Sequence, residues 1–156
     1  MRILDENRAS YKKTFSDASE CIFCLEEKSL ECAGLGNIHW KVVVNSFPYM
    51  DGNVMIIPLR HIEKTEEISD QEWTSFGEVL AKTKKVLGEI FKTESFNVGL
   101  NIGLESGASI PHLHWQIVPR KFKNITTLNT FADLYIVATT PLQTKKMIDD
   151  ALKNNL

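Results

Sequence analysis

The stretch Pro111-His112-Leu-His114-Trp-Gln116-Ile-Val-Pro119-Arg120 concentrates side chains able to do chemistry. In a strand the side chains alternate with period two, so His112, His114 and Gln116 share one face and Leu113, Trp115 and Ile117 share the other. Such a strand presents a polar constellation while apolar packing anchors it from behind. Two of the protein's four histidines lie on this face. They follow the small-residue loop Gly103-Leu-Glu-Ser-Gly-Ala-Ser109, whose backbone N–H groups can form an anion-binding concavity. A neutral imidazole can attack phosphorus when its second nitrogen donates to a backbone carbonyl. The bland alternative is a pair of histidines decorating a solvated sheet surface.

The elements that must position these groups are legible from hydrophobic periodicity. The chain has 156 residues, 43% of them hydrophobic and 24% charged, which is the composition of a single soluble domain. Residues 1–20 are polar and read as an N-terminal arm. Strands are predicted at Ser29–Ala33 and Ile38–Val44, joined by the turn Gly34-Leu-Gly-Asn37, and at Asn53–Pro58 after the turn-rich Asn45–Gly52. A long helix is predicted from Ser69 to about Lys92, opened by a Ser69/Glu72 capping box and carrying the apolar stripe Trp73, Phe76, Leu80, Leu87 and Phe91. Phe96–Gly103 and Leu113–Val118 complete five strands. A short strand at Leu134–Ala138 and a weak helix at Gln143–Leu152, after Pro141, lie in a C-terminal tail, residues 122–156. The sum is an α+β domain: an antiparallel five-stranded sheet with a long helix packed on it.

A net charge of -2 gives no basic field for nucleic acid or an anionic membrane. The N-terminus lacks a signal-peptide apolar run and no stretch is long enough to span a bilayer, so a cytoplasmic location is expected.

Beyond the His-x-His-x-Gln strand with its Val118-Pro-Arg120, the chain carries Asn101-x-Gly103, Ser106-Gly-Ala-Ser109, Val44-Asn45-x-Phe47-Pro-Tyr, Gly52 and Ile56-Ile-Pro58-x-Arg60-His61. Together these resemble the histidine triad superfamily over about residues 21–120. Gln116 at the third triad position is similar to the nucleotidyl-transferring branch, which includes galactose-1-phosphate uridylyltransferase and the diadenosine tetraphosphate phosphorylases. Gly52-Asn53 departs from the more usual Gly-His, with no interpretation from sequence. The resemblance implies attack on a nucleotide α-phosphate by His114, contact of Gln116 with the transferring phosphate, and binding of its oxygens by Asn101, Ser109 and the backbone around Gly107. It also places Asn45 at the ribose. Phe47 and Ile22 can wall the base, although buried packing explains both equally well. A homodimer is implied as well, with the tail contributing.

Cys21-x-x-Cys24 alone is shared by zinc sites and redox motifs. A thioredoxin-like pair belongs at a strand-to-helix junction, whereas Glu26-Glu-Lys-Ser29 reads as a turn into a strand. His61 and His112 can complete a tetrahedral Cys₂His₂ set, and the resemblance favours the same four as ligands of a structural zinc. The alternative is two buried free thiols without metal. Cys32 and His39 read as ordinary strand residues.

Three functions compete: a phosphorylase or transferase acting on dinucleoside polyphosphates with phosphate as acceptor, a hydrolase of the same substrates or of phosphoramidates, and a nucleotide-binding module without turnover. Gln116 favours the first. A polyphosphate leaves as a stabilised anion, whereas an amine leaving from a phosphoramidate must take a proton that glutamine cannot readily give.

Overall fold

The computed structural model describes residues 21–25, 30–108, 110–121 and 137–154. Within them lie β1 (Trp40–Val44), β2 (Val54–Pro58), α1 (Asp70–Phe91), β3 (Phe96–Leu100), β4 (Trp115–Pro119) and α2 (Pro141–Lys153). The strands form one antiparallel sheet in the order β1-β2-β4-β3. The N-terminal arm, Ser109 and residues 122–136 lie outside the described part, and with them most of the strand expected at Leu134–Ala138. Val137 and Ala138 themselves form no strand.

β1 and β2 are buried along their whole length and apolar except for Lys41, because both faces of the sheet are covered there. Trp40, Val42, Val44, Val54, Ile56, Trp115 and Ile117 pack toward α1 and α2, meeting Val79, Val86, Leu87, Phe91, Ile148 and Ala151. On the opposite face Val43, Met55 and Ile57 meet Cys21, Phe23 and Ile110. The chemistry sits on this second face. β3 is an edge strand and largely exposed.

The sheet departs from the expected five strands. Residues 30–32 make only an isolated bridge, Glu31 to Val43, between the bonds Cys32 N–H to Val42 O and Val44 N–H to Leu30 O. The turn at Gly34, with φ 89°, then carries the chain away. β1 starts at Trp40, not Ile38, because Asn37 Oδ1 takes the N–H groups of His39 and Trp40 at 2.8 and 2.9 Å and leaves Ile38 85% exposed. β3 stops at Leu100, before the positive-φ turn at Gly103. β4 starts two residues later than periodicity suggests. Leu113 N–H bonds Ile62 O, and a His112 ring nitrogen bonds Pro58 O, so this segment pairs with the loop after β2 before it joins the sheet.

Helix α1 begins where the capping box requires, with Ser69 Oγ accepting from Glu72 N–H and the Glu72 carboxylate accepting from Ser69 N–H. Its buried seam runs through Val79, Thr83, Val86, Leu87 and Phe91. Of the expected stripe, Phe76 and Leu80 are half-buried and Trp73 is 43% exposed, although its ring packs edge-on against Phe76 and Trp115. Helix α2 has a matching start, with Thr140 capping and Pro141 in the first turn.

Glu72 is also gripped by Arg60, whose Nε and Nη2 each donate to a carboxylate oxygen at 2.8 Å. That fork and the Ser69 bonds outweigh burial and hold the carboxyl down at about 2, from an ordinary 4.5. A depressed carboxyl pKa stabilises the fold above the unfolded value and loses that effect as pH falls toward the folded one. Glu72→Gln should therefore cost about 1 kcal/mol at neutral pH, a modest figure because Arg60 is more than half exposed and solvent screens it. Denaturant unfolding at several pH values checks this: the gap to wild type should close between pH 4.5 and 2, and a gap that ignores pH would remove the ionic explanation.

Candidate active site and metal cluster

Three separate segments converge on one cluster of four ligand-bearing side chains. Cys21 and Cys24 come from the turn 21–25, His61 from the loop after β2 and His112 from the approach to β4. Their ligand atoms all lie within 4.8 Å of one another. Cys21 Sγ is 3.5 Å from His112 Nδ1, and Cys24 Sγ is 3.3 Å from His61 Nδ1 and 3.7 Å from His112 Nδ1. Tetrahedral zinc with ordinary Zn–S and Zn–N bonds needs S···N edges of roughly 3.6 Å, and these three separations lie close to that value. His112 Nε2 lies 3.0 Å from Pro58 O, which fixes Nε2 as the donor and leaves the Nδ1 lone pair toward the thiols. Burial, with help from His61, pushes the His112 imidazole down to about 4, so it is neutral, as a ligand must be. Burial and the neighbouring Cys21 push the Cys24 thiol up to about 11. The Lys41 ammonium, buried on β1, donates to Phe23 O and pins the cysteine turn to the sheet.

His114 stands next to this cluster. Its Nδ1 donates to His112 O at 2.8 Å, which selects the tautomer whose Nε2 carries a lone pair. Burial lowers its pKa, against the raising effect of that bond. The Phe23 ring packs against both histidines, with centroids 5.8 Å from His112 and 5.3 Å from His114.

Gln116 follows on the same face and belongs to a carboxamide network. Its Oε1 is 2.9 Å from Asn53 Nδ2 and 3.3 Å from Asn45 Nδ2, and Asn45 Nδ2 also donates to Asn53 Oδ1 at 3.0 Å. Asn45 Oδ1 accepts from Phe47 N–H. Asn53 reaches this position because Gly52 turns the chain at φ 76°, where any Cβ would run into the Phe91 ring and Pro119.

A cavity of about 360 Å³ opens from Gln116 and Asn101 along Gly99 and Asn97 to Tyr49 and Arg120. Gly107, at φ 96°, folds the loop back so that a Cβ there would lie 3.5 Å from Asn101 Nδ2. The structure thus brings Gln116, Asn101 and Gly107 to one side, and all four expected metal ligands together. Ser109 lies outside the described residues. Ile22 is half-buried against the Cys21–Ile57 cluster, and neither it nor half-buried Phe47 lines that cavity.

The model of the HIT domain family matches residues 37–123, more than half of the chain. The chain belongs to the HIT domain family. It is similar to the AP-4-A phosphorylase of Mycobacterium tuberculosis, 35% identical over 79 residues that make up 50% of this chain and 40% of that protein. It is also similar to the asymmetrical bis(5'-nucleosyl)-tetraphosphatase of Schizosaccharomyces pombe, 31% identical over 78 residues, 50% of this chain and 43% of the other. Each match thus spans less than half the length of the curated relative. Among solved structures, a zinc-bound histidine triad family protein from Mycobacterium smegmatis shares the fold, with a TM-score of 0.70 at 15% identity over 88% of this chain and 96% of that one.

Two residues of the site escape sequence reasoning. Phe23 stands between the paired cysteines, and only its position inside the C-x-x-C turn hints that it faces the histidines. Asn53 is visible from sequence solely as a departure from Gly-His. Among the described residues no helix is long and apolar enough to cross a membrane.

Proposed function

We propose that the protein transfers a nucleotidyl group from a dinucleoside polyphosphate, such as diadenosine tetraphosphate, through a covalent intermediate on His114, with inorganic phosphate as acceptor. The observation that carries this is the Nδ1–H bond of His114 to His112 O, which leaves a buried imidazole with its Nε2 lone pair free for attack. Nε2 attacks the α-phosphorus and the P–O bond to the polyphosphate breaks, releasing ATP from diadenosine tetraphosphate. Gln116, Asn101 and the backbone at Gly107 hold the phosphate oxygens as charge develops. A phosphate oxygen then attacks the same phosphorus, the P–N bond breaks, and ADP leaves. The similarity to the mycobacterial phosphorylase supports this reading.

The metal of the cluster is proposed to be zinc, bound by Cys21, Cys24, His61 and His112. Bound there, it cross-links the segments that hold His112 O under His114. A homodimer is proposed through β3, which has a partner strand on one side only among the described residues.

Water is the competing acceptor, favoured by the similarity to the tetraphosphatase. The products distinguish the two: in phosphate buffer, diadenosine tetraphosphate should yield ADP and ATP, whereas attack by water yields AMP and ATP. Chromatography of the products is the measurement. Release of AMP alone beside ATP at every phosphate concentration would replace the phosphorylase with a hydrolase.

A further inference from the structure

Asn53 has no exposed surface and cannot touch a ligand, yet it decides which end of Gln116 does. Backbone N–H groups only donate, so they fix the polarity of the whole network. Phe47 N–H meets the Asn45 side chain at 2.9 Å, and the atom there must be Oδ1. Tyr49 N–H meets Asn53 at 3.1 Å, and that atom must also be Oδ1. The opposite ends of both side chains are therefore NH₂ groups. Asn53 Nδ2 independently requires this identity, because it also faces the carbonyls of Val54 and Ile117 at 3.2 and 3.4 Å. Both NH₂ groups point at the same Gln116 atom, at 2.9 and 3.3 Å, so that atom is the carbonyl oxygen. The Gln116 NH₂ then occupies the other end, and among the described residues nothing accepts from it. Gln116 lines the cavity.

We infer that Asn53 is a positioning residue that fixes Gln116 as a hydrogen-bond donor toward the phosphate site and acts on nucleotidyl transfer only through that amide. A free glutamine amide turns over and offers its carbonyl as readily as its NH₂; an oxygen facing a phosphate anion repels it. Asn53, the nearer of the two donors and seconded by Asn45, removes that alternative, since a reversed Gln116 would set NH₂ against NH₂. This preorganisation needs no proton movement, which suits exchange between phosphate anions. The inference rests on the proposed phosphate chemistry at His114 and adds the origin of donor polarity at Gln116.

Asn53→Asp tests it, because it keeps the shape and replaces the donor with an acceptor that draws the Gln116 NH₂ inward. The variant should lose about 100-fold in kcat on diadenosine tetraphosphate, the usual effect of removing one preorganised donor, with KM changed far less. In a Gln116→Ala background the same change should do almost nothing further. In ¹⁵N-labelled wild type, AMP should shift the Gln116 side-chain amide resonance, and in Asn53→Asp that shift should vanish while other site resonances still respond. Melting temperature is recorded alongside; if Asn53→Asp does not fold, Asn53→Ala removes the donor without adding charge and is read the same way. Turnover and AMP binding with an unmoved Gln116 amide, or additive losses in the double variant, would overturn the inference alone. If no resonance responds to AMP, the nucleotide chemistry and the role of Asn53 fall together.

Discussion

His114→Ala should lower turnover of diadenosine tetraphosphate by at least about 1,000-fold, a barrier increase of roughly 4 kcal/mol. The loss is large because the covalent step itself is removed, and no other imidazole shares its position. His112 has Nε2 committed to Pro58 O and Nδ1 facing the thiols, and His61 sits among the same thiols. Affinity for product nucleotide should change only a few-fold, since Gln116, Asn101 and the Gly107 turn remain. Steady-state kinetics and calorimetric titration with AMP separate the two effects. A variant retaining a tenth of wild-type turnover would depend on His114 for under about 1.4 kcal/mol, too little for a nucleophile. His112→Ala should behave differently, lowering stability, because it deletes a cluster ligand and the bond to Pro58.

Loss of the metal should produce the second large effect. A metal assay on protein purified without chelator should return about one zinc per chain. Chelation should destabilise by about 3 kcal/mol or more, a fall of roughly 10 °C in Tm for a chain of this size. The geometry motivates this, since the four ligands join the turn 21–25, the loop after β2 and the approach to β4, and an ion would tie all three at one point. Cys24→Ala should reproduce the chelated melting curve and show no further response to chelator. Metal-free protein as stable as the untreated sample would show that the cluster is two thiols and two imidazoles packed without an ion.

The sequence made the chemistry legible wherever it depends on local spacing. His114 and Gln116 are two apart and share a face; the cysteine pair and two histidines carry ligand types whatever the fold. The start of α1 was legible for the same reason, since a capping box spans four residues and closes on itself at Ser69; α2 starts at Pro141, two residues before the expected Gln143, because Thr140 and Gln143 form a second such box. What remained hidden depends on partners far along the chain. β4 begins late because Ile62 and Pro58 take bonds that alternation alone assigns to a sheet neighbour. Asn53 looked like an unexplained departure until a residue 63 positions away supplied its partner. Trp73 fits the apolar spacing of α1 but sits at the rim, 43% exposed, with the rings of Phe76 and Trp115 edge-on against it.

The strand order also governs how the molecule comes into being. β1 and β2 can meet across a short connection, and so can β3 and β4, but the pairing of β2 with β4 joins Val54 to Ile117 with all of α1 between them. Closing so long a loop is entropically uphill until the partners lock, so this seam forms late. Asn53 meets Gln116 at the same seam, and His61 reaches His112 beside it. The parts of the nucleotide site and of the metal cluster that meet at this seam are therefore expected to come together when it forms. During synthesis the hairpin of β1 and β2 and the helix α1 emerge first, and until the ribosome has released Trp115–Pro119 the inner edge of β2 stays bare and open to pairing with other chains.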